Sequence, residues 1–301
     1  MALRPNRWPR PLSGGWEKKV INAETRVCCL IGDPVAHSLS PLVHNRGYQA
    51  RGLDYVYLAF RVKEAAPAIA AMRTLGITGM SVTIPHKTTA LACVDELDAE
   101  AKEIGAINTI VNRGGHLKGY NTDYDAALKA LSEKTPLRGK KTVILGAGAT
   151  ALTIALALKH RGSRVVILGR APAKAAALAA RIGAEGSGGF DRFSEIGDAD
   201  ILTNATPVGM WPKVDELSVP ASYLHPKLVV FDVIYRPRTT RLLAEAKKAG
   251  CKVVYGHKMF LYQAARQFEL FTGHTAPLVQ MGQALTRALK GDEGVTISDR
   301  R

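Results

Sequence analysis

The sequence predicts an α/β fold of about two domains, on three observations. The chain has 301 residues, roughly two domain lengths. Short apolar runs rich in β-branched residues alternate with helical patterns along most of it, as sheets flanked by helices require. Residues 142–151, TVILGAGATA, join a buried strand to an apolar helix through a break at Gly146-Ala147-Gly148.

Taken in order, residues 1–24 read as a basic, disordered tail. The first nineteen include Pro5, Pro9, Pro11 and five cations against the single acid Glu17. They lack the apolar core of a signal peptide, and the prolines spoil an amphipathic presequence helix. The folded part begins with a strand at 27–31 that ends at Gly32-Asp33-Pro34. Ser40 followed by Pro41 marks a helix start, with the hydroxyl as N-cap and proline at N1. Ser38 lies two residues earlier, beyond the strand's carboxyl end, where open sheets bind ligands. Two hydroxyls beside a helix N-terminus would suit a carboxylate.

A second strand is expected at 55–60 and a third at 80–84, the latter ending in Pro85-His86-Lys87. Lys87 therefore falls at a strand-to-helix junction on the same edge as Ser38. Residues 88–103 read as helix and 105–112 as a fourth strand. Asn108 interrupts that apolar strand, and a buried amide wants partners. Asp123 reads as the N-cap of a helix over 125–131.

In the glycine-rich unit, Gly146 makes the tight turn, Gly148 lets backbone approach a pyrophosphate, and Ala151 lets helix and strand pack closely. The helix N-terminus, through Ala149 and Thr150, offers unpaired N–H groups to phosphate. The next strand, 164–168, is followed by Gly169-Arg170-Ala171-Pro172-Ala173-Lys174, with no acid to hold a ribose 2′-hydroxyl. A guanidinium can clamp a 2′-phosphate, with Lys174 adding a point charge. Cations near a helix N-terminus oppose its dipole unless an anion sits there. The expected cofactor is NADP. Beyond a helix at 174–182 and a glycine-rich turn at 183–189, strands are expected at 201–205, 228–235 and 252–256. Helices at 257–272 and 277–290 close the chain. The first carries an apolar stripe of Phe260, Ala264, Phe268 and Phe271, with Gln263 on its flank.

The formal net charge is +15 and the sequence pI about 9.8. No nucleic-acid motif or long basic block accompanies it, so an anionic cofactor and an anionic small-molecule substrate are the expected partners. No apolar run reaches membrane-span length. The four cysteines show no metal-ligand spacing, and no metal is expected. Cys28, Cys29 and Cys93 read as buried thiols of a reducing compartment, hence a cytoplasmic protein.

Several motifs in order make the pattern specific. Gly32-Asp33-Pro34, His37-Ser38-Leu39-Ser40-Pro41, His44-Asn45, Val82-Thr83-Ile84-Pro85-His86-Lys87, Ala106-Ile107-Asn108-Thr109 and Asn121-Thr122-Asp123 resemble the shikimate dehydrogenase family. So do Gly146-Ala147-Gly148, Asn204-Ala205-Thr206 and the segment from Gly256 to Gln263. The resemblance implies reversible NADP-dependent reduction of 3-dehydroshikimate to shikimate, in aromatic amino-acid (chorismate) biosynthesis. By position it implies Ser38 and Ser40 as carboxylate binders and Thr83, Asn108 and Gln263 as ring-hydroxyl binders. It implies Tyr235 near the carboxylate and Lys87 with Asp123 as the catalytic pair. Cofactor contacts are implied for 146–150, Gly169, Arg170, Lys174, Val233 and Gly256. It further implies an α/β substrate domain (25–122 plus 257–301), a Rossmann NADP domain (123–256), and C-terminal helices returning to the first. The working unit is expected to be a monomer or homodimer.

Two positions depart from the family pattern. Ser81 stands where Asn often precedes Val-Thr-Ile-Pro, and Gly169 where Asn is common before the cofactor arginine. The first leaves open a quinate or dual quinate/shikimate dehydrogenase. A non-catalytic NADP-binding sensor would also keep the fold, but intact Lys87 and Asp123 argue against it.

Overall fold

The computed structural model describes residues 21–293, in which two six-stranded sheets face each other across a cleft. Residues 1–20 of the expected tail lie outside the described residues. Residues 21–24 form an exposed turn closed by Thr25 N–H to Asn22 O at 3.2 Å.

The first sheet is built from β1 (Arg26–Gly32), β2 (Tyr55–Arg61), β3 (Gly79–Val82), β4 (Glu96–Leu97), β5 (Thr109–Arg113) and β6 (His116–Tyr120). Its order is β2-β1-β3-β5-β6-β4, with β5 antiparallel to both neighbours. Helices α1 (Ser40–Arg51), α2 (Ala65–Thr74) and α3 (Ala99–Ile104) connect these strands. The two-residue period of β1 sends Cys28 and Leu30 to one face and Cys29 and Ile31 to the other.

The second sheet follows α4 (Asp123–Ser132). It contains β7 (Lys141–Leu145), β8 (Arg164–Leu168), β9 (Gly186–Gly188), β10 (Ile201–Asn204), β11 (Val229–Asp232) and β12 (Lys252–Tyr255). All its pairings are parallel, in the order β12-β11-β10-β7-β8-β9. That is the Rossmann order, with its switch point between β7 and β10. Helices α5 (Ala149–His160), α6 (Pro172–Ile182) and α7 (Arg241–Lys248) cover its faces. The first sheet has a switch point of its own, because β1 is flanked by β2 on one side and β3 on the other.

The chain ends in α8 (Gly256–Thr272) and α9 (Leu278–Glu293), which return to the first sheet. The stripe Phe260, Ala264, Phe268 and Phe271 is buried, in one core with Val43, Tyr48, Tyr57 and Met281. A Cβ on Gly79 would overlap the Phe271 ring, so this glycine lets α8 lie directly on β3.

Several expectations need correction. Residues 88–103 are not one helix: a 3₁₀ turn (Thr89–Cys93) gives way to β4 and then α3. Asp95 explains the break, since its carboxylate accepts from Arg73 and from Leu117 N–H at 2.7 Å. The fourth strand begins at Thr109, because Gly105 is the left-handed cap of α3 at φ +66°. The glycine-rich segment after α6 is no mere turn, since β9 pairs with β8. Strands β6 and β4 and helix α7 were not expected at all. Strand β11 stops at Asp232, three residues early. Cys93 is half-buried, not buried.

Candidate active site

The carboxyl ends of β1 and β3 face those of β11 and β12 across a cleft of about 230 Å³, which suits a small molecule rather than a polymer. Ser38, Ser40, Thr83, Lys87 and Asn108 line it from the first sheet's side. Asp123, Tyr235 and Gln263 line it from α4, the loop after β11, and α8. All eight residues singled out for substrate thus meet in one place.

Lys87 is held by a turn beyond β3. His86 N–H donates to Thr83 O, Ile107 N–H donates to Lys87 O at 2.8 Å, and the His86 ring is anchored at Val62 O. Asp123 is the first residue of α4, not its cap; Thr122 takes the cap position. Its backbone N–H donates to Asn121 Oδ1, and Asn121 Nδ2 donates to Ala106 O, which ties the helix start to the first sheet. The Asp123 carboxylate is thereby free to turn toward Lys87, whose Nζ donates to Oδ2 at 2.6 Å. Both side chains are shielded, at 19% and 9% exposure. The arrangement is a charge-assisted proton donor and acceptor pair inside a cleft.

Ser40 also differs from expectation. It opens α1 as a helical residue, and its backbone N–H donates to Ser38 Oγ at 3.2 Å. Both hydroxyls face the cleft beside an α1 N-terminus that has no side-chain cap. Tyr235 packs on Phe260 with ring centroids 4.7 Å apart, and burial pushes its phenol up to about 12. Burial, helped by Arg236, lowers the pKa of His37, another cleft residue. The Arg236 guanidinium donates to His37 O at 3.0 Å and so ties the loop after β11 to the loop after β1.

On the facing side, Gly146 has φ +113°, and a Cβ there would lie 2.9 Å from Ala205 O. Only glycine fits. Gly148 caps α5 in extended conformation without a side-chain cap bond, and a Cβ there would meet nothing within 4 Å. The Gly146 N–H is spent on Leu168 O at 2.7 Å, but the start of α5 beyond it presents uncapped N–H groups to open space, a seat for an anion. A Cβ on Gly169 would lie 3.8 Å from that of Ala147, so Arg170 follows a residue that abuts the glycine turn. Arg170 and Lys174 are exposed at the start of α6, and neither side chain has a hydrogen bond or ion pair among the described residues. Thr150, Val233 and Gly256 reach the cleft itself. A Cβ on Gly256 would collide with the carbonyl oxygens of Val233 and Ile234. These features fit a dinucleotide with a 2′-phosphate.

Comparison with known proteins agrees. Residues 30–110 match the shikimate dehydrogenase substrate binding domain, 127–209 the shikimate/quinate 5-dehydrogenase family, and 256–286 the shikimate 5′-dehydrogenase C-terminal domain. A shikimate dehydrogenase (NADP(+)) of Moorella thermoacetica is 41% identical over 286 residues, covering 91% of this chain and 97% of its own. That of Methanopyrus kandleri is 43% identical over 284 residues, covering 90% and 98%. The chain belongs to the shikimate dehydrogenase family. A Thermus thermophilus member solved with NADP(H) and shikimate superposes with TM-score 0.82 at 35% identity, covering 88% of this chain and all of its own. A quinate dehydrogenase of Corynebacterium glutamicum solved with NAD gives 0.81 at 30% identity, covering 87% and 99%.

Sequence reasoning did not single out Gln267. It is 2% exposed, lines the cleft, and donates to Asn108 O and Thr109 Oγ1. Its signal was present: it lies four residues after Gln263, on the same helical face.

Proposed function

We propose that this protein catalyses the reversible NADP-dependent reduction of 3-dehydroshikimate to shikimate. The observation that carries the reading is the shielded Lys87–Asp123 pair, in one cleft with the Ser38 and Ser40 hydroxyls and with Thr150 from the start of α5. NADPH, when held by Gly146–Thr150 and Arg170 with Lys174, supplies the hydride.

The chain's own residues do the rest. The two serine hydroxyls donate to the substrate carboxylate, while Thr83, Asn108 and Gln263 take ring hydroxyls. Lys87 Nζ donates to the carbonyl oxygen and stabilises the negative charge that gathers there. The Lys87–Asp123 pair delivers one proton to that oxygen in reduction and removes it in oxidation. Which member carries the proton is a property of the coupled pair. The assignment places the substrate domain at 25–122 with 257–301 and the cofactor domain at 123–256. Four free cysteines support a reducing, cytoplasmic location.

The test is an assay following reduced nicotinamide with shikimate or quinate, each with NADP or NAD. Turnover with shikimate and NADP, well above the other combinations, is the expected result. Comparable quinate turnover would move the assignment to dual specificity, and inactivity in all four would refute it.

A further inference from the structure

We propose that Ser81 and Gln267 are positioning residues that fix the hydrogen-bond sense of the cleft wall. Asn108 then presents a donor, and Ser81 an acceptor, to a hydroxyl of the ligand. Only the ligand's identity, a polyhydroxylated cyclic acid, rests on the functional reading above.

Two backbone groups anchor the network, because each can act in one sense only. The Asn108 carbonyl accepts from Gln267 Nε2 at 3.2 Å, which fixes the Gln267 amide with its oxygen toward Ser81. Ser81 Oγ must then donate to Gln267 Oε1, at 2.9 Å. With its only proton so placed, Ser81 accepts from Tyr57 OH at 2.6 Å. The second anchor is Thr122 N–H, which donates to Asn108 Oδ1 at 2.8 Å; the sense of that amide is held by this bond together with the relay from Gln267 through Thr109.

Thr109 links the two. Its hydroxyl accepts from Gln267 Nε2 at 2.9 Å and donates to Asn108 Oδ1 at 2.7 Å. Asn108 Nδ2 donates one hydrogen to Thr122 Oγ1 at 3.0 Å. Its second N–H has no partner among the described residues. Asn108, Ser81 and Gln267 are each at most 3% exposed, yet all line the cleft. A buried donor left over in this way calls for an acceptor, and a ligand hydroxyl oxygen provides it. The remaining lone pair of Ser81 can take a hydroxyl proton. His44 stacks on Tyr57 at 4.2 Å, and burial pushes its pKa down to about 3, so it adds no charge here.

The chain of donors therefore runs from Tyr57 through Ser81, Gln267 and Thr109 to Asn108, across β2, β3, α8 and the start of β5. Serine at position 81 closes it with one atom that both accepts and donates.

The experiment is a double-mutant cycle on shikimate KM, in the assay above. Gln267→Glu puts an acceptor where Thr109 now receives a hydrogen bond, drawing the Thr109 proton away from Asn108. Shikimate KM should rise about tenfold, as for one hydrogen bond lost at a buried site, with NADP KM within about twofold. In an Asn108→Ala background the same change should add less than about twofold, because the group it positions is gone. An equal rise in both backgrounds, or a parallel rise in NADP KM, overturns the proposal. Thr109→Val in the same cycle carries the test if Gln267→Glu does not fold. A separate readout needs no substrate: the Gln267 side-chain NH₂ should exchange slowly by NMR, and faster in Thr109→Val. Fast exchange in the parent refutes the relay, whereas inactivity of the parent with shikimate refutes only the functional reading.

Discussion

Asp232→Asn should gain stability relative to the parent as pH rises through neutral, and lose that gain progressively as pH falls. The Asp232 carboxyl is fully buried at the end of β11, where it accepts from Thr240 Oγ1 at 2.6 Å and from Asn204 Nδ2 and Ile234 N–H at 3.1 Å each. Burial outweighs those donors and raises its pKa from 3.8 to about 7. The folded state therefore holds a proton that the unfolded chain releases between those values. The stabilisation is fully present below 3.8 and is lost as pH rises through about 7. At about 1.4 kcal/mol per pH unit the full loss is about 4 kcal/mol, of which about 3 kcal/mol falls between pH 5 and 8.

An asparagine keeps the acceptor for Asn204 and Ile234, and its NH₂ can donate to Thr240 Oγ1 in place of the reverse bond. Whatever constant offset the swap brings does not vary with pH. The measurement is parent and variant melting temperature from pH 5 to 8.5, where other titrating groups cancel in the difference. A swing of about 3 kcal/mol corresponds to about 5 °C for a chain of this size. Parallel curves would show that Asp232 titrates alike in both states and would refute the reasoning.

Lys87→Met should lower turnover by about 10²–10⁴ with NADP binding, read by nicotinamide fluorescence, unchanged. Near-parent turnover would remove Lys87 from the chemistry. Arg170→Ala should raise NADP KM by about 10–100-fold while leaving NAD KM near its parent value, the range for charge-assisted hydrogen bonds; equal losses would displace the 2′-phosphate from this arginine. Gly79→Ala should destabilise by about 1–3 kcal/mol in thermal melts, since its new methyl meets the Phe271 ring. An unchanged melting temperature would show that α8 yields there.

The sequence was most informative where local chemistry and fold agree. The run TVILGAGATA became β7, its turn and α5 because strand, glycine break and helix signal each stand within ten residues. The candidate site was legible for a related reason: its residues sit just beyond strand ends, where motif order is also spatial order. What failed to show was set by distant partners. Gly186-Ser187-Gly188 has no strand propensity and is a strand because β8 offers it an edge, with Val166 opposite Gly186. The helical pattern of 88–103 yields to Arg73 and Leu117, both remote in sequence. Gln267 was hidden within a buried apolar stripe, and only its neighbours on β3 and β5 reveal what its amide does.

Helix α8 explains how the two halves of the site stay in register. It continues from β12 with no intervening loop, so its first residue, Gly256, is packed under the Val233–Ile234 carbonyls on the cofactor side. Gln263 and Gln267 follow seven and eleven residues later, about 10 and 16 Å along the axis. One flank is fastened to α4 through Tyr262 and Lys258, which both bond Glu133, and α4 begins with Asp123. The other flank presses Phe268 onto Gly47 of α1 and Phe271 onto Gly79 of β3. A single rigid element thus sets the separation between the site of hydride delivery and the wall that reads ring hydroxyls. Displacing α8 at Gly79 should therefore raise the KM of shikimate together with lowering the melting temperature, whereas a change in the glycine turn at Gly148, where a Cβ meets nothing within 4 Å, should affect the cofactor alone.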